Sequence, residues 1–353
     1  MKRIFVLPTS GDGLRGKVFG DPKRAYEGGM WDIPFFGEGF PEEARKLGIE
    51  AHTTDAWSRE TAGPDDVLLV QNHPGETLIW RAFYAMKHLR SGGGFLRARQ
   101  KFLADNFKFF KRRVLIQGES PLVMPYVYKD LDRIRHSGVY NAIMLMGRGW
   151  GNDLGYYNPF FYRNRDIVSP HFGVAKEKFL VLVNGNVRPH SFRHELYGER
   201  LKAIRHLGAF PGFDLYGHGW DHVPRHPFYM HYAKYVARAW RGRAENKMRL
   251  MSQYRFAICY ENSAYPGYVS EKIFDCLAAG CIPVYLGAPD IASIVPEGCF
   301  IDKRKFGTYE ELHQHLVSLS EADCARYREN ILRFLRDRST MMDIQALIRQ
   351  IAG

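Results

Sequence analysis

The sequence predicts an α/β protein of two domains, each a parallel sheet covered by helices on both sides, the two facing each other across a cleft. Three observations predict it. The chain has 353 residues, too many for one comfortable core and suited to two. The apolar runs "DDVLLVQ" (65–71), "RRVLIQ" (112–117), "KFLVLVN" (178–184) and "RFAICY" (255–260) are continuous rather than alternating, as in strands buried on both faces. Helical stretches stand between such runs, and the alternation occurs twice, on either side of a segment at 151–175 rich in aromatics, Asn and Pro.

In chain order, "IFVLP" is a strand that stops at Pro8, and "EEARKLGI" (42–49) a short helix with Gly48 near its end. "TLIWRAFYAMKHLR" (77–90) has helical spacing and halts at Gly92-Gly93-Gly94, while "YNAIMLM" (140–146) is a further strand. After the linker come strand 178–184, the helix "HELYGERLKAIRHL" (194–207) and the strand "FDLYG" (213–217). A polar helix, "RAENKMRLMSQ" (243–253), precedes strand 255–260. Helix 270–279, strand "CIPVYLG" (281–287) and two helices over 308–320 and 323–338 complete the chain. The expected divisions are 1–165, 166–325 and a C-terminal helical segment, 326–353.

Composition is that of an ordinary globular protein, 45% hydrophobic and 25% charged. The net charge of +12 suits nucleic acid, an anionic membrane surface or an anionic small substrate. A nucleic-acid binder ranks low, because the sequence has no helix-turn-helix, zinc finger or aromatic RNA-binding signature. The basic segment from Arg326 to Arg338 leaves peripheral contact with the inner face of a membrane open, and pelleting with anionic liposomes at low salt tests it. The five cysteines form no C-x-x-C pair and sit mostly in apolar stretches. With no secretory pattern at the N-terminus and no run long enough to span a bilayer, the expected location is cytoplasmic.

The most informative stretch is "YENSAYPGYVSEKIFDCLAAGCIPVYLGAPD", residues 260–290. It follows a strand, and ligands of open α/β sheets collect beyond the carboxyl ends of strands. Ser270 suits the N-cap of a helix whose apolar positions Val269, Ile273, Phe274 and Leu277 share one face, and Gly280 suits its end. Glu271 and Lys272 then fall in the first turn, where a positive charge is unfavourable unless an anion binds there. A phosphate explains Lys272, and a ribose diol is the natural partner of Glu271. Together they suit a nucleoside diphosphate; the alternative is a solvated Glu-Lys pair at a helix end.

The whole stretch resembles the donor-binding signature of the alpha-1,3-fucosyltransferase family (glycosyltransferase family 10). Members carry Glu-Asn-Ser, a spacer, Tyr-Val-Thr-Glu-Lys, an apolar helix and a Pro-Val strand ending in Gly. Here Ser270 replaces the Thr and keeps a capping hydroxyl. The resemblance implies the GT-B architecture of two Rossmann-like domains, GDP-fucose as donor with no required cofactor, and an inverting reaction. The acceptor it implies is a hydroxyl of an oligosaccharide or glycolipid, such as N-acetylglucosamine of lactosamine, as in lipopolysaccharide synthesis or protein glycosylation. Asn262, Tyr268, Glu271 and Lys272 become donor contacts, with Tyr268 against the sugar or phosphate end unless it is a core tyrosine. A diphosphate-binding arginine is implied near "ELYGERLKAI"; Arg200 matches, Arg188 and Arg193 are rivals, and a plain surface arginine is the alternative. Glu119 in "RRVLIQGESPLVMP" matches the family's general base, and partial burial should raise its pKa. Otherwise it is a loop glutamate capping a backbone N–H. A sister enzyme using another GDP-deoxysugar remains the main competitor.

Other signals carry less. Asp130-Leu131-Asp132 spells a metal motif but lies in a helical segment, so no metal site is predicted. His218, His222, His226 and His231 fit no standard zinc spacing. "GRGWGN" (147–152) lacks the Lys-Ser/Thr of a phosphate loop and reads as an acceptor-side loop. Trp31, Trp150, Tyr156 and Tyr157 are candidates for stacking on acceptor sugars.

Overall fold

The computed structural model describes residues 2–9, 11–19, 39–75, 93–154, 168–187, 194–221, 227–337 and 343–353. They fall into two compact units. The first holds the described residues up to 154 together with 343–353, and the second holds 168–337.

The first unit is a five-stranded sheet of β1 (Lys2–Leu7), β2 (Ile49–Thr53), β3 (Val67–Gln71), β4 (Arg112–Gln117) and β5 (Ala142–Leu145), in the order β2-β1-β3-β4-β5. Every pairing is parallel. All five residues of β3 are buried, which is why that run lacks polar alternation. Its helices include α1 (Phe40–Lys46), α2 (Gly93–Asn106), α3 (Pro125–Lys129) and α4 (Leu131–His136). The far end of the chain is tied to this unit by hydrogen bonds. Arg112 Nε donates to the Ile351 carbonyl at 2.7 Å, Lys2 Nζ donates to that of Ala352 at 3.0 Å, and Gln345 Nε2 donates to Glu43 at 2.7 Å.

The second unit contains β6 (Lys178–Val183), β7 (Phe213–Tyr216), β8 (Tyr254–Tyr260), β9 (Ile282–Leu286) and β10 (Ile301–Asp302), again all parallel, in the order β10-β9-β8-β6-β7. Counted within its own unit, each sheet therefore has the order 2-1-3-4-5. This doubly wound order places a topological switch between the first and third strands, β1/β3 in one sheet and β6/β8 in the other. Helices α5 (Tyr197–Leu207), α6 (Pro227–Ala239), α7 (Lys247–Met251), α8 (Glu271–Ala278), α9 (Tyr309–Ser318) and α10 (Glu321–Arg336) accompany it, and α11 (Ile344–Ala352) belongs to the first unit. Gly280 ends α8 at φ +68°, where a Cβ would lie 2.5 Å from the Phe172 carbonyl oxygen; only glycine fits.

Four elements differ from the sequence reading. Gly93 and Gly94 open α2, and the helix expected over 77–90 lies outside the described residues. β2 was unread because its "IEAHT" is an edge strand with three half-buried positions. The polar helix 243–253 contracts to α7, because the Asn246 side chain caps it by accepting from Arg249 N at 2.8 Å. α6 begins at Pro227, inside the stretch read for its histidines; His222 and His226 lie outside the described residues. Asp130 precedes α4 and pairs with Arg133 at 3.2 Å, while the Asp132 side chain is exposed. No described helix is long and apolar enough to cross a membrane. On α10, Arg326 pairs with Asp323 and Arg328 with Glu321.

Candidate active site

In the second unit the switch point is occupied by charge. β8 is buried to its last residue, and the next, Glu261, is 0% exposed. A carboxylate buried this way requires donors, and they come from the start of α8. Ser270 N donates to Glu261 Oε1 at 2.8 Å and Ser270 Oγ to Oε2 at 2.6 Å. Ser270 occupies the N-cap position as expected, but its hydroxyl does not cap the helix. It is committed to Glu261 and accepts from Lys272 Nζ at 2.9 Å.

Lys272 is thus held by three groups. Besides Ser270, its ammonium lies 3.3 Å from Glu271 Oε1 and 3.6 Å from Glu261 Oε2, with the side chain only 12% exposed. Burial pulls its pKa down, but the two carboxylates outweigh this and hold it above the usual value. Glu271 shows the mirror pattern: burial raises its pKa, and Lys272 and Lys247 bring it below the ordinary carboxylate range. Lys247 in turn is ion-paired with the fully buried Asp275. Glu261 is pushed upward, because burial exceeds the help from Lys272 and Ser270.

Arg200 closes the group from the first turn of α5. It is 3% exposed, and its Nη2 donates to the Tyr260 carbonyl at 2.8 Å and to Asn262 Oδ1 at 2.9 Å. Its guanidinium stands 4.7 Å over the Tyr197 ring, and its buried Nε has no hydrogen-bond partner among the described residues. Burial lowers its pKa, an effect opposed by Tyr197, Glu261, Tyr268 and Glu271. The structure therefore brings Arg200, Asn262, Glu271 and Lys272 together at the mouth of one sheet, with Tyr268 buried beside them at 2% exposure. Arg188 and Arg193 lie outside the described residues. Two cations are balanced by two carboxylates, one of which, Glu261, the sequence did not single out. The signal was an acidic residue directly after the apolar end of a strand, but its donors come from nine residues further on.

In the first unit, Glu119 follows β4 and is half-buried. Its carbonyl accepts from Tyr128 Oη at 2.7 Å. Beneath it lies a polar layer. His73 N donates to Gln117 Oε1 at 3.1 Å, and His73 Nδ1 is 2.8 Å from Tyr140 Oη. Burial, with lesser contributions from Arg99 and Arg133, lowers the His73 pKa from 6.5 to about 3. An unfolded chain then binds a proton that the folded chain refuses, so this histidine's contribution is fully present above pH 6.5 and is lost as pH falls towards 3. Thermal melts between pH 7 and 4 should show stability falling by up to ~1.4 kcal/mol per pH unit from this group. The slope should flatten in His73→Gln; an unchanged slope would show that His73 is not responsible.

Comparison with known proteins adds the decisive observation. Residues 174–336 match the family model "glycosyltransferase family 10 (fucosyltransferase) C-term". The second unit is a family 10 glycosyltransferase domain. Within the chain, 79 residues are 39% identical to an alpha-(1,4)-fucosyltransferase of Arabidopsis thaliana, covering 22% of this chain and 20% of that one. Another match, to the alpha-(1,3)-fucosyltransferase FucT of Helicobacter pylori, is 36% identical over 75 residues, 21% of this chain and 16% of the relative. The matched segment thus spans a fifth or less of the length of these relatives. The crystal structure of Anabaena HepE in complex with UDP superposes with a TM-score of 0.52 at 14% identity, covering 100% of this chain and 98% of that one. That likeness is one of fold, and with two doubly wound sheets it gives the chain the GT-B class.

Proposed function

We propose that the chain is an inverting fucosyltransferase that moves L-fucose from GDP-fucose to a hydroxyl of a glycan acceptor, with N-acetylglucosamine in a lactosamine unit as the expected acceptor. The observation that carries this reading is the buried Arg200–Asn262–Glu271–Lys272 cluster at the switch point of a family 10 domain. Lys272 and Arg200 bind the diphosphate, aided by backbone N–H groups at the start of α8. Glu271 takes the ribose hydroxyls, and Asn262 and Tyr268 complete the donor contacts. The acceptor oxygen attacks the anomeric carbon as Glu119 removes its proton, and the bond to GDP breaks on the opposite face of the sugar. Charge then grows on the departing diphosphate, where fixed cations stabilise it without reorganisation. The five buried thiols suit a reducing compartment such as the cytoplasm.

These contacts grip nucleotide and diphosphate more than sugar. The test is therefore a panel of GDP-sugars offered with a glycan array, read by product mass spectrometry. A fucosylated product with GDP-fucose as the preferred donor is expected. Preference for another GDP-deoxysugar, or turnover of none, would contradict the proposal.

A further inference from the structure

Two described non-glycine residues of the first unit, Arg15 and Asn72, have a left-handed backbone, and of the two only Asn72 is buried. Asn72, the residue after β3, has φ +56°, a left-handed conformation that asparagine tolerates better than most residues but that still needs support. It is 5% exposed, and its bonds reach both neighbouring strands. Its N–H donates to the Ile116 carbonyl of β4 at 2.7 Å, and its Nδ2 to Thr9 Oγ1, just past β1, at 3.3 Å. Its Oδ1 accepts from the backbone N–H of Gly118 at 2.8 Å. Arg99, buried on α2, donates to the Gln71 and Asn72 carbonyls at 2.6 Å each, and so holds the unusual turn from the other side. Asn72 thereby ties together the ends of β1, β3 and β4 at the switch point and grips the amide immediately before Glu119.

We propose that Asn72 is a positioning residue: its carboxamide, presented by the left-handed turn, holds the Gly118 amide and so sets the direction in which Glu119 leaves the sheet. This rests on Glu119 being the general base. Orientation is where such a contact acts, since a displacement of about 1 Å at a reacting group can cost on the order of 100-fold in rate. Gln117 Oε1 on the His73 amide and Tyr128 Oη on the Glu119 carbonyl hold the flanking residues. The Gly118 amide itself is held by the Asn72 carboxamide.

The test uses the full chain. Asn72→Gly keeps the left-handed backbone and deletes the acceptor, whereas Asn72→Asp keeps an acceptor oxygen. Hydrogen exchange of the segment 116–120 should quicken in Asn72→Gly and return towards wild type in Asn72→Asp. With GDP-fucose and a glycan that the wild type turns over, kcat in Asn72→Gly should fall by roughly 10- to 100-fold. The KM for GDP-fucose should stay within about twofold, and the acid limb of the pH–rate profile should shift. A protein that melts lower but keeps wild-type exchange in 116–120 and an unmoved acid limb would overturn the proposal, leaving Asn72 merely structural. Glu119→Gln separates the two readings. If it retains transfer, the base assignment fails; if it loses transfer while Asn72→Gly keeps full kcat, only the positioning role fails.

Discussion

Glu119→Gln should lose fucosyl transfer by about 10²–10⁴-fold while GDP affinity stays within about twofold of wild type. Glutamine preserves the shape of the side chain and its capacity to accept a hydrogen bond, so the half-buried turn after β4 need not move. What disappears is the basic oxygen proposed to take the acceptor's proton. The donor-side cluster should be unaffected, because its described bonds join residues of the second unit. Single-turnover transfer measured beside calorimetric GDP binding checks both halves. Loss of GDP binding in this variant would move Glu119 from the base role to a donor role.

Lys272→Met should be damaging in two separable ways. Removing a charged partner of a diphosphate costs about 1.5–3 kcal/mol, so GDP should bind roughly 10- to 100-fold more weakly. The fold should also suffer. Glu261 is 0% exposed and Glu271 is 7% exposed, and breaking a buried ion pair by deleting one member typically costs about 3–5 kcal/mol. The sign of the pH dependence identifies the cause. Glu261 already has a raised pKa from burial, and losing Lys272 pushes it higher. The penalty is therefore greatest at pH values above that pKa and shrinks as the pH falls and the carboxyl takes up its proton. Denaturation of wild type and variant across pH 8 to 5 reads this directly; a deficit constant with pH would exclude Glu261 as its source.

How much of this was legible in the sequence follows from where the information sits. Strands such as β3 and β8 were visible because both faces are largely buried, so their runs are mostly apolar without alternation. The end of α8 was visible because Gly280 occupies a position no other residue fits. Lys272 could be singled out because a cation in a first helical turn breaks a local rule. Its counter-charge could not, because Glu261 becomes buried only when β8 and α8 pack, and a carboxylate in sequence looks like a loop residue. The role of Ser270 was misjudged for the same reason: capping is a local prior, and a buried carboxylate nearby outcompeted it. The Gly92–Gly94 run read as the stop of a helix that lies outside the described residues, and nothing in three glycines marks the start of α2 at Gly93. The left-handed turn at Asn72 has no sequence mark beyond asparagine itself.

The central claim is that the cluster at the end of β8 grips a diphosphate. A crystal structure with GDP bound tests it most directly. The account predicts the pyrophosphate against Lys272 Nζ and the Arg200 guanidinium at the start of α8, with the ribose hydroxyls on Glu271. GDP bound elsewhere, or with its phosphates out of reach of both cations, would contradict it.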